Sequence, residues 1–109
     1  MSQYLLLLYH DPQGMKQLSP EEMQKAVEKY MAWAKKPFVR GSQRLAPDAG
    51  KVMRAGSPPR VSDGPYSETK EVLGGFYIIE APSYEEAVKL TMDHPHLTHG
   101  TIEVRQYWQ

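Results

Sequence analysis

Residues 60–81, RVSDGPYSETKEVLGGFYIIEA, combine a turn, a polar loop and a strongly apolar run. The Asp-Gly-Pro at 63–65 predicts a turn, because Asp bonds its own backbone, Gly accepts positive φ and Pro restricts φ. Residues 67–71 are polar, whereas the run at 76–79 is apolar enough to predict a buried strand. A rigid turn followed by charged side chains between two strands is a typical way for a scaffold to present groups to a ligand.

A second apolar stretch, QYLLLLY at residues 3–9, comes near the start of the chain. Read with period two it is apolar on both faces, which predicts a central strand that is covered on both sides. His10 and Asp11 follow at the end of this strand. Together with the run at 76–79, this stretch indicates a sheet with two buried middle strands.

Two Ser-x-x-Glu capping boxes, at residues 19–22 and 83–86, predict the starts of two helices. Pro20 suits the first helical position, and Pro37 prevents the first helix from continuing. The second helix is expected to run to about Asp93. Each helix carries one apolar stripe and therefore needs a sheet to cover.

The remaining stretches predict shorter strands. One strand is expected at 43–45 and a β-hairpin from 51–54 and 60–62, because turns rich in Pro and Gly separate these extended pieces. Residues 101–107 alternate between apolar and polar side chains, which is typical of an edge strand.

The resulting order is βαβ, an inserted β-hairpin, and βαβ, which predicts a single α+β domain over residues 1–109 with the ferredoxin-like βαββαβ plan. In that plan the first and third core strands lie in the middle of the sheet. Two helices cover only one face, yet both middle strands are apolar on both faces. We therefore predict a homodimer that packs sheet on sheet, with a cleft in each subunit beside the Asp63 turn.

Charge and composition narrow the classes of partner. Thirteen basic and thirteen acidic residues cancel, so no overall field favours nucleic acid or an anionic membrane. We expect no signal peptide, and no apolar stretch approaches the roughly 20 residues that span a bilayer. The chain has no cysteine, which fits a cytoplasmic protein. Gly74-Gly75 lacks the spacing of nucleotide-binding loops, so no cofactor is expected.

The segment VSDGPYSETKE at 61–71, followed by LGGF at 73–76, resembles the signature of the DGPF family of YCII-related proteins. The helix start LSPEE at 18–22 and the closing HGTIEVR at 99–105 resemble that family as well. This resemblance implies a dimeric α/β-barrel fold, which agrees with the plan that the residue patterns predict.

The resemblance implies less about activity. Members of the wider group carry a His-Asp pair suspected of acid–base work, and relatives on the same fold include dehalogenating and isomerising enzymes of aromatic breakdown. Some members are found beside or fused to extracytoplasmic-function sigma factors, which implies such a factor as a partner. This chain departs from the His-Asp pattern, because no histidine occurs between Asp11 and Asp93. The pair therefore does not transfer directly onto this sequence.

Asp63 is the first candidate for proton transfer, because a partly buried carboxyl group can act as a general acid or base. Its side chain could instead only cap the turn that follows it. His99, beside the last strand, is the second catalytic candidate. His94 and His96 are expected to be solvated or to cap the second helix. No metal site is predicted, because the helical spacing of metal-binding histidines is absent.

Five further residues are predicted to contact a small-molecule ligand. Tyr66 stands where the family signature has Phe and adds a hydroxyl at the mouth of the cleft. Lys70 and Arg105 could each hold an anionic substrate or form local ion pairs instead. The end of the first strand offers Tyr9 and His10, which could otherwise be a core aromatic and a loop hydrogen-bonding residue.

The leading hypothesis is a YCII-related protein that binds a small molecule. It would be an enzyme if Asp63 and His99 transfer protons in a lyase, isomerase or dehalogenase-like reaction. The alternative is a module without catalysis, either a ligand sensor or a partner in sigma-factor-associated transcription regulation. An enzyme should show a shifted pKa of Asp63 and a dry pocket around it, whereas an interaction module should expose an apolar patch outside the dimer contact.

Overall fold

The structure, a computed structural model, describes residues 1–15, 18–66 and 71–108. This part of the chain contains six strands, three α-helices and one short 3-10 helix. In chain order they are β1 (Ser2–His10), α1 (Pro12–Met15), α2 (Pro20–Ala34), β2 (Val39–Arg44), β3 (Lys51–Arg54), β4 (Arg60–Asp63), β5 (Val72–Ala81), α3 (Tyr84–Thr91), the 3-10 helix (Pro95–Thr98) and β6 (Thr101–Gln106).

Four of the strands form one antiparallel sheet in the order β2-β5-β1-β6. The two apolar runs lie in the middle as β1 and β5, and Leu6 is paired with Tyr77 on one side and Val104 on the other. The α+β, ferredoxin-like prediction is thereby confirmed. The prediction of a strand limited to 43–45 is wrong, because the polar residues of Val39–Arg44 pair with β5 and extend β2.

The two longer helices begin where the capping boxes predict. The Ser19 hydroxyl accepts the Glu22 N–H, and the Glu22 carboxylate accepts the Ser19 N–H, so α2 has the complete box. The Ser83 hydroxyl caps the first turn of α3. Each such cap contributes about 1 kcal/mol of helix stability. None of the helices that the structure describes is long and apolar enough to cross a membrane.

The core lies between these helices and one face of the sheet. Its buried side chains include Leu6 of β1, Ile79 of β5, Trp33 of α2 and Ala87 of α3. Full burial of a large apolar side chain contributes about 1.5–3 kcal/mol. Packing of α2 and α3 on the two middle strands is therefore the main source of the stability of the fold.

The opposite face of the sheet has an apolar surface of its own. Alternate positions of β1 and β5 point away from α2 and α3, and their side chains are only half-buried. We call this surface the open face; its apolar residues on the middle strands are Leu5, Leu7, Tyr9, Phe76 and Ile78.

Strands β3 and β4 form a separate hairpin that pairs with itself. Its apolar side chains Met53 and Val61 are 70% and 62% exposed. The radius of gyration is 15.7 Å, whereas a compact domain of 100 residues has about 13 Å. A separate hairpin with exposed apolar side chains is expected to enlarge the radius of gyration in this way.

Candidate functional site

His96, in the 3-10 helix, has its ring packed inside the protein. The residue is only 4% exposed. A Cβ atom at Gly100 would lie 2.3 Å from His96 Nε2 and 2.7 Å from the Tyr9 carbonyl oxygen. Any larger residue at this position would displace the ring, so Gly100 allows His96 to sit against the end of β1.

A chain of hydrogen bonds starts at this buried ring. His96 Nε2 lies 2.7 Å from the Tyr9 carbonyl oxygen, and His96 Nδ1 lies 2.5 Å from Tyr30 Oη. Tyr30 Oη in turn lies 3.3 Å from His99 Nε2. We call this arrangement the proton chain; it connects the backbone of β1 through His96 and Tyr30 to His99.

The direction of the proton chain is fixed at its inner end. The Tyr9 carbonyl can only accept, so His96 Nε2 carries a hydrogen. A neutral His96 then accepts at Nδ1, and the Tyr30 hydroxyl is the donor. The Tyr30 oxygen is left to accept an N–H from His99.

Each ring nitrogen of His99 lies close to an oxygen that can accept a hydrogen bond. The Thr98 hydroxyl donates to the Pro95 carbonyl at 2.9 Å, so its oxygen acts as the acceptor toward His99 Nδ1 at 3.1 Å. When His99 is protonated, both of its N–H groups therefore have partners, Thr98 Oγ1 and Tyr30 Oη. His99 is also exposed. The arrangement orients an accessible imidazole that can carry a proton.

Burial keeps the inner members of the proton chain uncharged. It raises the pKa of Tyr30 to about 12. It also lowers the pKa of His96, although the hydrogen bond to the Tyr9 carbonyl opposes this effect. At neutral pH Tyr30 is therefore a phenol and His96 a neutral imidazole, as the direction of the chain requires.

His10 approaches the same region from the end of β1. A Cβ atom at Gly74 would lie 2.6 Å from His10 Nδ1, so the ring rests on bare backbone of β5. Burial lowers the pKa of His10, and electrostatic interactions with His99 and Arg44 lower it further, against the effect of Asp11. His10 and His99 thus belong to one cluster.

His94 lies deeper than the proton chain and is 2% exposed. Its Nδ1 accepts the His96 N–H at 3.0 Å, whereas its buried Nε2 has no hydrogen-bond partner among the described residues. The rings of Trp33 and Tyr77 pack against it with centroids 4.5 and 4.8 Å away. Burial lowers the pKa of His94 to about 4.

The prediction that His94 and His96 are solvated is therefore wrong. The 3-10 helix turns both rings inward, where Tyr30 packs edge-on against each of them. The prediction that they cap the second helix is wrong as well, because Met92 is the C-cap of α3 and His94 is the N-cap of the 3-10 helix.

Three of the predicted site residues lie at this cluster, namely Tyr9, His10 and His99. Tyr9 contributes its carbonyl, while its hydroxyl points to the open face and donates to Glu103 at 3.1 Å. Arg105 is paired with the open-face position of β1 and lies 3.5 Å from the Glu103 carboxylate. The sheet thus separates Arg105 from the proton chain.

Asp63 and Tyr66 lie on or beside the hairpin. The Asp63 side chain is 78% exposed and forms an ion pair with Lys51. The Tyr66 ring lies 5.7 Å from the guanidinium carbon of Arg54. Lys70 lies outside the described residues. Proton transfer by Asp63 and ligand contacts by Tyr66 and Lys70 stay predictions, and the contacts described for Asp63 do not join it to the histidines.

Sequence reasoning did not identify Tyr30 and His96 as site residues. Tyr30 falls on the apolar stripe of its helix and therefore resembles an ordinary core aromatic. The signal that was available is the position of Gly74 and Gly100, because a glycine in or beside a strand often marks the close approach of another group.

The described part of the chain contains no group of three or more His, Asp or Glu side chains arranged to hold a metal ion. Both ring nitrogens of His96 are engaged, one with the Tyr9 carbonyl and one with Tyr30. Hydrogen bonds within the protein therefore hold the His96 ring in place.

Fold and site together define a small α+β protein with a histidine–tyrosine proton chain at one end of its sheet. Residues 2–109 match the YCII-related domain, and the chain belongs to that family, as its signature residues predicted. An uncharacterized protein of Rhizobium meliloti (strain 1021) is 32% identical over 110 residues, which cover 94% of this chain and 89% of that protein.

Among solved structures, the chain is similar to 5-chloro-2-hydroxyhydroquinone dehydrochlorinase from Burkholderia phenoliruptrix in complex with 2,5-dihydroxybenzoquinone. The match has a TM-score of 0.57 and 14% sequence identity, and it covers 98% of this chain and 94% of that chain. At this identity the likeness shows the shared fold alone.

Proposed function

We propose that the protein is a small-molecule enzyme that transfers protons, with His99 as the catalytic acid or base. The observation that carries the proposal is the directed proton chain, which begins at the Tyr9 carbonyl and ends at the accessible ring of His99. The 3.3 Å between His99 Nε2 and Tyr30 Oη is long for a hydrogen bond. This N–H is therefore the one that can be redirected to a substrate.

Tyr30 and His96 act as positioning residues in this proposal. Because the Tyr30 hydroxyl is committed to His96, its oxygen stays an acceptor and holds the His99 N–H in one direction. A fixed donor loses little entropy when the substrate arrives, which is one source of catalytic rate. Gly100 supports the arrangement by admitting the His96 ring.

Hydroxylated aromatic compounds are the substrate class that we propose. The solved protein of the same fold is a 5-chloro-2-hydroxyhydroquinone dehydrochlorinase. In such a compound His99 would deliver a proton to the carbon that bears chlorine, and two ring hydroxyls para to each other would lose their protons. Chloride then leaves with the electron pair of its bond to carbon, and a hydroxybenzoquinone forms. The net products besides the quinone are one proton and one chloride, so no oxidant is needed.

Chloride release from 5-chloro-2-hydroxyhydroquinone and related chlorinated hydroxyhydroquinones tests this function. We expect release that is proportional to protein concentration and faster than the reaction without protein. Incorporation of deuterium from D2O into the ring is a second readout, because it reports proton transfer even where chloride does not leave. A protein that promotes neither reaction with any member of the series would contradict the proposal.

We also propose that the protein is a homodimer in which two open faces pack on each other. The half-buried apolar side chains of β1 and β5 support this arrangement, because such a surface is costly to leave in water. Light scattering at micromolar concentration should give twice the 12.5 kDa mass of one chain. Leu7→Lys, in the open face, should give a monomer, whereas Val88→Lys, on the exposed side of α3, should not. A monomeric wild-type protein would contradict the dimer.

The association with sigma factors stays a prediction from the family resemblance.

A further inference from the structure

Arg44 is the last residue of β2 and stands at the edge of the histidine cluster. Within residues 1–15, 18–66 and 71–108, its exposed guanidinium makes no hydrogen bond or ion pair. Arg40 of the same strand, by contrast, binds Glu80 at 2.8 Å. Arg44 therefore places an uncommitted positive charge beside the cluster.

No side chain of β5 stands between Arg44 and His10. Arg44 is paired with Gly75, and Gly74 is the extra residue of a bulge in β5. A Cβ atom would lie 2.6 Å from the His10 ring at Gly74, and 2.8 Å from the Gln43 carbonyl oxygen at Gly75. Both positions therefore need glycine, and the bare backbone leaves the guanidinium and the imidazole facing one region.

The charge of Arg44 reaches residues on two different elements. It lowers the pKa of His10 on β1, and it opposes the rise in the pKa of Tyr30 on α2 that burial causes. These effects agree with the register of the sheet, which pairs Arg44 with Gly75 and places the His10 ring on the adjacent Gly74. His99 lies at the same end of β1, because the next residue, Gly100, closely approaches the Tyr9 carbonyl oxygen. A ligand in contact with His99 thus lies within reach of Arg44.

We propose that Arg44 is a specificity-determining residue that binds an oxygen anion conjugated with the planar ring of the substrate, while His99 exchanges the proton. A guanidinium is planar and offers paired N–H donors, so it suits a carboxylate or a phenolate with a neighbouring oxygen. The inference rests on the proposed function and extends it to the charge of the substrate. Sequence reasoning placed this role on Lys70 or Arg105, but Arg105 lies on the open face beside Glu103.

The inference is tested by measuring the binding of two aromatic anions. Each anion is compared with an uncharged aromatic compound of similar shape. The first is 4-nitrocatecholate at pH 8, compared with its dimethyl ether; the second is benzoate, compared with benzamide. Arg44→Gln should weaken binding of at least one anion by about 10- to 100-fold, because a charge-assisted hydrogen-bond pair is lost. Binding of the neutral rings should be unchanged. The affinity of Arg44→Lys for the anions should lie between those of wild type and Arg44→Gln. The matched control Arg40→Gln should bind the anions like wild type.

The outcomes separate this inference from the proposed function. If Arg44→Gln binds both anions like wild type, if Arg105→Gln alone weakens them, or if the wild type does not prefer anions to neutral rings, the inference is wrong. Turnover that still depends on His99 would then leave the proposed function standing. If Arg44→Gln loses anion binding but turnover does not depend on His99, the anion site stands and the proposed function fails.

Discussion

Replacement of His99 by Gln is expected to lower kcat/KM for chloride release or ring deuteration by about 10²- to 10⁴-fold, the usual contribution of a general acid or base. Gln can still donate a hydrogen bond to the Tyr30 oxygen at the position that His99 occupies. It cannot carry a proton to the substrate. Binding of the substrate should therefore change little, and the loss should appear mainly in kcat.

Asp63→Asn is the matched comparison, because Asp63 was the first candidate from the sequence and the change again replaces a proton carrier by an amide. Asp63 lies on the hairpin and pairs with Lys51, so we expect its loss of activity to be much smaller than that of His99→Gln. A loss with Asp63→Asn that equals or exceeds the loss with His99→Gln would assign the proton transfer to Asp63.

Tyr30→Phe tests the positioning role separately. It removes the hydroxyl that joins His96 to His99 and keeps the aromatic ring in the core. We expect a smaller loss than with His99→Gln and a changed dependence of kcat on pH, because His99 keeps its imidazole but loses its fixed partner. A purely structural role of Tyr30 would lower stability without moving the pH profile.

The free energy of unfolding is expected to fall by about 3 kcal/mol between pH 6.5 and pH 4 through His94 alone. Burial lowers the pKa of His94 to about 4, whereas the unfolded chain has the ordinary value of 6.5. In this window the unfolded state binds a proton that the folded state does not, so acid favours unfolding. Neighbouring His96 acts in the same direction on His94, and Asp93 opposes it.

Chemical denaturation at a series of pH values measures this effect. His94→Asn is the control variant, because its side-chain oxygen can still accept the His96 N–H while its side chain does not titrate. The variant should be less stable than wild type near neutral pH, since Asn fills less of the space beside Trp33 and Tyr77. Its loss of stability between pH 6.5 and pH 4 should nevertheless be smaller than that of wild type. If the free energy of unfolding falls equally with pH in wild type and in His94→Asn, His94 is not the residue that titrates.

Much of the fold could be predicted because its signals are local. The apolar runs at 3–9 and 76–79 identify the middle strands, and the serines at 19 and 83 mark the helix starts within single turns. The extent of β2 could not be predicted in this way. The mostly polar segment Val39–Arg44 becomes a strand because it pairs with the edge of β5.

The site was harder to predict, since its chemistry depends on contacts between distant parts of the chain. Tyr30 has an ordinary position on an amphipathic helix until the fold brings His96 to within hydrogen-bond distance of its hydroxyl. His99 could be selected because it stands beside the last strand in a family-like segment. Asp63 drew attention through its turn, but a turn signal predicts local geometry and does not say which surface the turn faces.

The most direct test of the proton chain is the tautomer of His96 in solution. Long-range nitrogen–proton NMR spectra of the imidazole rings at pH 7 should show His96 neutral, with its hydrogen on Nε2 and a hydrogen-bonded lone pair on Nδ1. Tyr30→Phe should shift the Nδ1 resonance and leave the hydrogen on Nε2. A His96 that carries its hydrogen on Nδ1, or that is doubly protonated at pH 7, would contradict the directed chain and the role of His99 that depends on it.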